Sequence, residues 1–401
     1  MNQRLAHLTL AAVATLAATQ SSAGTVTHDG GDVIIKTRGG LEIKTADDQY
    51  SFKLGGRIQA DYNDYDGVIN AVPGEDGSDL FFRRARIELK GHAQDWGYFL
   101  SYNLTSSGSI DQANATYTGW GSLANLTIGQ QKEDFGLDDT GSSKWITAIE
   151  RAMPANAFDT GHNLGIKLHG ATELISYSLG TYRNDIDDNN NLDTAVTGRL
   201  VVRPLMADGK LIHLGVGATR RDGASADYNS RLGARGGEDG TGVGRVRARI
   251  SGAEGERSDY NLEAAANFGA FHLMAEYFDG EIDVDVPSVT LDANGYYVQA
   301  AYILTGESRG YKTDSGVFDG VKPSGAGGAW EVFARFDTLD VDNAAPVAVT
   351  GEKADSLTLG VNWYLNPMIK VSANYVNLDT DGTIGGEDSG NALLARLQVA
   401  F

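Results

Sequence analysis

Arginine is the side chain on which this sequence could build chemistry, and it comes in clusters. The run Phe81-Phe82-Arg83-Arg84-Ala85-Arg86 opens one alternating stretch. The interval 220–249 holds Arg220, Arg221, Arg231, Arg235, Arg245, Arg247 and Arg249. The last three alternate with Val246, Ala248 and Ile250, so their guanidinium groups could share one face of a strand. Lys36, Arg38, Lys44, Lys53 and Arg57 crowd the start of the exported chain, and the segment Lys132 to Gly161 carries Lys144 and Arg151. A guanidinium is always charged, and its planar fork matches phosphate oxygens through two parallel hydrogen bonds. A narrow site amplifies each charge as water is excluded. Conduction, unlike capture, needs weak and repeated sites. A ladder of arginines leading to a constriction would therefore suit an anion path. The competing reading is that loop arginines bridge lipopolysaccharide phosphates or pair with the chain's own carboxylates.

Other chemistries find little support. The chain has no cysteine, which excludes a disulfide scaffold, a thiolate metal site and a cysteine nucleophile. His162 and His169 have no partner at zinc spacing, and Asp185, Asp187 and Asp188 lack the glycine and terminal glutamate of a calcium loop, so neither a metal nor a cofactor is expected. No His–Ser pairing stands out for a barrel enzyme such as a lipase, so the chain is not expected to be an enzyme. With 33 basic and 53 acidic residues the net charge is -20, the wrong sign for a nucleic-acid partner. That sum does not decide what a pore would pass, because selectivity follows the charges that line it.

The elements that must position these arginines are strands. From Tyr50 to Asn63, Tyr50, Phe52, Leu54, Ile58, Ala60 and Tyr62 share one parity, while Ser51, Lys53, Arg57, Gln59, Asp61 and Asn63 share the other. The same division recurs at 97–105, 163–169, 173–183, 355–365, 367–378 and 390–401, the last ending on Phe401. Segments of this length suit a tilted membrane crossing of about 9–11 residues better than the roughly 5–6 of soluble strands. Aromatic residues near strand ends (Tyr50, Tyr62, Trp363, Tyr375, Phe401) fit interfacial girdles. Treating the Gly- and charge-rich stretch 221–258 as one long loop leaves 16 strands, an even number that encloses an aqueous lumen. The fold class is then all-β: a 16-stranded antiparallel transmembrane β-barrel in the outer membrane. The patternless segment from Lys132 to Gly161 is the long loop expected to fold into the lumen and narrow it. Residues 1–23 read as a signal peptide, with Arg4, an apolar run from Leu8 to Ala18, and Ser21-Ser22-Ala23 before the cut. Residues 24–401 then form a single barrel domain.

These residues also resemble a known family, the phosphate-selective porins O and P. The resemblance runs through Gly40-Leu41-Glu42, Phe52-Lys53-Leu54-Gly55-Gly56-Arg57, Gln59-Ala60-Asp61-Tyr62, Phe82-Arg83-Arg84-Ala85, Phe135-Gly136-Leu137, Ser142-Ser143-Lys144-Trp145, Glu150-Arg151, Ala329-Trp330-Glu331-Val332-Phe333 and Gly360-Val361-Asn362-Trp363-Tyr364. It implies a homotrimer of barrels passing small inorganic anions, phosphate or polyphosphate above all, with an arginine ladder above a narrow eyelet. By position it implies Arg83, Arg84 and Arg151 at or near the eyelet, with Asp111 as their acidic partner. Arg231 and Arg235 would be ladder rungs, and Lys36, Arg38, Lys53 and Lys322 a periplasmic basic cluster. The sequence departs from the family at Asp139, where phosphate-selective members carry a lysine. That reversal, with the net charge, implies the alternative of a general or cation-preferring porin of the same fold.

Overall fold

The structure is a computed structural model that describes residues 24–28, 31–37, 40–72, 76–105, 108–183, 194–238, 240–286, 288–343, 353–384 and 387–401. The proposed signal segment, Arg38 and the Asp185–Asp188 acidic run lie outside the described residues.

Three short strands lead in: β1 (Gly24–His28), β2 (Gly31–Lys36) and β3 (Leu41–Thr45). The barrel begins with β4 (Tyr50–Tyr65), β5 (Gly77–Ala93), β6 (Trp96–Asn103), β7 (Ser109–Tyr117) and β8 (Asn125–Lys132). A long segment with two short helices, α1 (Leu137–Thr140) and α2 (Met153–Ala157), separates β8 from β9 (His162–Ala171). The wall continues with β10 (Ile175–Arg183), β11 (Thr194–Ala207), β12 (Lys210–Arg231), β13 (Arg245–Phe268), β14 (Phe271–Val284) and β15 (Val289–Ile303). A small hairpin, β16 (Arg309–Lys312) with β17 (Val317–Val321), precedes the last wall strands β18 (Ala329–Asn343), β19 (Lys353–Tyr364), β20 (Ile369–Ile384) and β21 (Glu387–Ala400).

Every wall strand pairs antiparallel with its neighbours, and β21 closes on β4 from Ala392↔Tyr65 to Ala400↔Arg57. The result is a closed barrel of 16 antiparallel strands, as expected. Where β21 ends, β3 takes over the free edge of β4, from Leu41↔Leu54 to Lys44↔Ser51. That handover leaves little room: Gly40 turns with φ of 101°, and a Cβ there would strike the Leu54 carbonyl.

Burial is inverted relative to a soluble protein. On β13, Asp259 and Asn261 are 0% exposed while Leu262 is 58% exposed. Leu54, Ile58, Phe82, Leu179, Leu357 and Leu397 face outward too, while Gln59, Arg199 and Arg396 face inward. A lipid-facing apolar band around a polar interior accounts for that alternation. Aromatic residues gather beside the short turns: Tyr117 meets Trp96 at a tilt and Trp120 edge-on, with centroids 5.1 and 5.2 Å apart, and Trp330 stacks on Trp363 at 5.2 Å. Short turns mark the periplasmic end of such barrels.

The stretch 221–258 is not one loop. β12 and β13 run through it as a paired ladder to Arg231↔Arg245, leaving only 232–244 between them. Register shifts at Arg221/Ala224 and Ser225/Asp227 break the parity that the sequence shows. Beyond the shifts, Ala226, Tyr228, Leu232, Val246 and Ala248 are buried in the same core as Met153 and Phe158. The extension therefore leans inward over the lumen, and Asn70 bridges to Val243 across its tip.

Candidate functional site

Residues 133–161, between β8 and β9, cross the lumen to the opposite wall. Backbone groups taken out of water need partners, and the wall provides them one after another. Gln59 donates to the Ser143 carbonyl at 3.2 Å, Gln398 to Lys144 at 3.1 Å, and Lys370 to Ile146 at 2.8 Å. Arg309, from the β16–β17 hairpin, donates to the Trp145 carbonyl. Asn362 donates to Thr147 at 2.9 Å, Arg396 to Ile149 at 2.6 Å and Arg335 to Glu150 at 2.8 Å. The amides of Ile149 and Met153 donate to Asn374 and Asp337 at 2.7 and 2.9 Å. Ile149, Ala152, Met153 and Phe158 pack with Phe135, Leu137, Tyr228 and Phe278 in one apolar core. The loop thus fills the barrel against the β12–β21 side, and the open space lies against β4–β9.

Arg83 and Arg84 both enter that space. Gln59 pairs with Arg84 and Ala60 with Phe82, so Arg83 is the extra residue of a bulge. Phe82 keeps its outward position at 57% exposure. Arg83 donates twice to Glu150, at 2.7 and 3.0 Å, and Arg396 links Asp61 (2.7 Å twice) to the same glutamate at 3.0 Å. Burial would raise the Glu150 carboxyl, but Arg83, Arg396 and Arg84 outweigh it and hold it well below the usual carboxylate range.

Arg151 and Asp139 come together as well. Asp139 sits 3.4 Å from Arg151 and accepts from Lys132 at 2.9 Å, with only 3% of its side chain exposed. Burial raises its carboxyl, and Lys132 and Arg151 then pull it below the ordinary value. Arg151 also donates to the carbonyls of Asp138, Asp139 and Gly141 at 3.0–3.1 Å. Asp111 accepts from Arg86 at 2.6 Å.

A cavity of about 1180 Å³ runs past these groups. Fourteen lysines and arginines line it against seven aspartates and glutamates, an excess of seven positive charges inside a chain whose total is -20. Arg83, Arg84, Arg151, Asp111, Asp139, Arg231, Arg235 and Lys53 are all among its lining residues. Arg231 donates to the Gly240 carbonyl at 3.4 Å, and Arg235 to Glu238 at 2.7 and 3.2 Å. Lys36 instead pairs with Glu42 at 3.5 Å outside the lining, and Lys322 is exposed beyond β17 without joining it.

Arg84 was expected at the constriction, whereas Arg57, which also lines the cavity, was not assigned there. Arg57 is 5% exposed, and its partner is the Ser142 hydroxyl at 3.4 Å; Arg84 is 7% exposed, with Gln59 at 3.1 Å. Neither forms an ion pair among the described residues, and the Nε of each is buried without a hydrogen-bond partner. Arg86, Lys90, Lys132 and Lys312 also line the cavity. The signal for Arg57 was present in its wet-face parity with Lys53 and Gln59. Lys132 and Glu150 carried none, since their partners come from distant segments. The structure does bring one Ser–His pair together: Ser51 Oγ lies 2.8 Å from His92 Nδ1. The same hydroxyl accepts the His92 amide at 3.1 Å, and a backbone carbonyl rather than a carboxylate takes the other ring nitrogen, so the pair clasps a hairpin end.

Known proteins resemble this chain in sequence and in fold. Porin O of Pseudomonas aeruginosa is 38% identical over 97% of each chain. Among solved structures, the anion-selective porin from Comamonas acidovorans aligns with a TM-score of 0.59 at 13% identity, over 88% of this chain and 100% of its own. OmpT of Vibrio cholerae aligns at 0.57 and 11%, over 88% and 98%; at these identities the likeness is one of fold. The family model for phosphate-selective porin O and P matches residues 52–401, and the chain belongs to that family of outer-membrane porins.

Proposed function

We propose that this porin passes small inorganic anions by passive diffusion, phosphate or polyphosphate above all. The observation that carries the reading is the cationic lining of the cavity, with Arg57 and Arg84 held there without an ion pair among the described residues. A buried charge that is not paired is costly, and an entering anion relieves that cost. Arg83, Arg84, Arg151, Asp111 and Asp139 form the constriction in this reading, with Arg57, Arg86 and Lys132 added. Arg231 and Arg235, beside the inward-leaning β12–β13 extension, are the entry rungs. Lys53 leads the exit, and Lys36, Arg38 and Lys322 serve at most as an outer periplasmic field.

The alternative of a cation-preferring porin rests on Asp139 and the net charge. Asp139 is matched by Lys132 and Arg151 and offers almost no surface to a passing ion. The net charge is that of the whole chain, not of the cavity lining. Both points support the anion reading. We further propose a homotrimer seated in lipid and lipopolysaccharide, exported by removal of residues 1–23, with neither a nucleic-acid partner nor catalytic activity. Zero-current potentials across a planar bilayer in a KCl gradient test the anion reading; a cation-selective sign would remove it.

A further inference from the structure

Near the periplasmic end of the lumen, four side chains lie in one row across four strands. Lys53 on β4 is directly opposite Lys90 on β5, Lys90 is opposite Phe99 on β6, and Phe99 is opposite Asn114 on β7. All four line both the main cavity and an adjoining one of about 510 Å³. Two features of the row are unusual for a wall that only holds water.

The first is the lysine pair. Like charges directly opposite on paired strands are destabilising, and neither ammonium has an ion pair or hydrogen bond among the described residues. The nearby carboxylates are already engaged: Glu42 with Lys36 at 3.5 Å, Glu88 with Lys144 at 2.9 Å, and Asp319 with Lys312 at 3.3 Å. Lys53 and Lys90 are thus surplus cations facing the same space.

The second is Phe99. It has the parity of Ser101, which is 1% exposed, and lies on the lumen side while Leu100 at 40% faces lipid. Inorganic ions gain nothing from a phenyl ring. A planar organic group does, because stacking on an aromatic face is worth roughly tenfold or more in affinity and tolerates many ring structures. Asn114 spends its amide nitrogen on the Gln130 carbonyl at 3.0 Å, which leaves its carbonyl oxygen to accept from a ligand's hydroxyl or amino group. The adjoining cavity falls in the usual range for small-molecule sites, about 300–1,000 Å³.

We infer that Lys53, Lys90, Phe99 and Asn114 form a subsite for organic phosphate monoesters that carry a planar ring, the phosphate lying between the lysines and the ring on Phe99. The subsite rests on the anion-passage reading and narrows it to a ligand class at one end of the pore. The test compares phenyl phosphate, methyl phosphate and inorganic phosphate as blockers of chloride conductance through the purified porin, each added to either side of a planar bilayer. Phenyl phosphate should half-block at roughly a tenth of the methyl phosphate concentration. Phe99→Ala should erase that tenfold gap while leaving the inorganic phosphate block unchanged, and Phe99→Trp should preserve it. A native-sized chloride conductance in each variant shows that the barrel has assembled. Equal block by phenyl and methyl phosphate in the unaltered protein, or a gap that survives Phe99→Ala, overturns the subsite alone. Absence of block by all three, with a cation-selective reversal potential, overturns the anion reading and the subsite with it.

Discussion

Arg83 and Arg84 are neighbours in the chain, yet both reach into the same lumen, because Arg83 is the extra residue of a bulge between Gln59↔Arg84 and Ala60↔Phe82. Their fates then diverge. Arg83 is tied to Glu150 by two hydrogen bonds, whereas among the described residues Arg84 donates to the amide oxygen of Gln59 alone. One arginine holds the loop, and in the proposed reading the other is left to a passing anion.

That division predicts opposite phenotypes. Arg84→Gln should lower anion selectivity, seen as a reversal potential closer to zero, with thermal stability unchanged or slightly raised. Replacing Arg83 should loosen the loop instead, because Glu150 loses its bidentate partner. Glu150 keeps Arg396, so the expected stability loss is that of the charge-assisted hydrogen bonds to Arg83, about 1.5–3 kcal/mol. Heat-induced unfolding of the folded species on gels separates the two outcomes.

Asp139 predicts a result that its charge alone would not. Asp139→Asn should raise anion preference modestly, because Lys132 and Arg151 lose their counter-charge. Asp139→Lys, which introduces the lysine that the family resemblance implies, would place a third cation against those two in a site only 3% exposed. It should therefore destabilise the loop rather than simply strengthen selectivity. Reversal potential and thermal unfolding measured on both variants check this; a stable, more selective Asp139→Lys protein would refute it.

Acid should act through the loop. Glu150 and Asp139 both have carboxyls held below their ordinary values in the folded protein. Their contribution to stability is therefore present above the unfolded carboxylate range, about pH 4. It is lost as pH falls through the lowered folded values. Single-channel conductance should stay constant from pH 7 to about 4 and become larger or noisier only below that. A change centred near pH 6 would contradict this.

The barrel was legible because period-two alternation is local: Tyr50 to Asn63 displays both faces without reference to any other segment. The ends of β12 and β13 were not, since Gly223 and Gly252, both at positive φ, accompany irregular pairing in which the parity changes. Arg83, Arg84 and Arg151 were recognisable by type and family position. Their separation into pinned and unpinned cations was not, because Glu150, Gln59, Asp139 and the wall groups that hold residues 143–150 come from segments far apart in the chain. The same distance hid Lys132. Its pairing with Asp139 places a cation beside the position where the resemblance implies a lysine.

In the proposed reading the lumen selects anions although the chain is acidic. The most direct measurement is the zero-current potential of the reconstituted porin in a tenfold KCl gradient, repeated with millimolar inorganic phosphate on the dilute side. An anion-selective lumen should give a chloride-selective potential and a chloride conductance that phosphate reduces. A potassium-selective potential, or chloride conductance indifferent to phosphate, would contradict it.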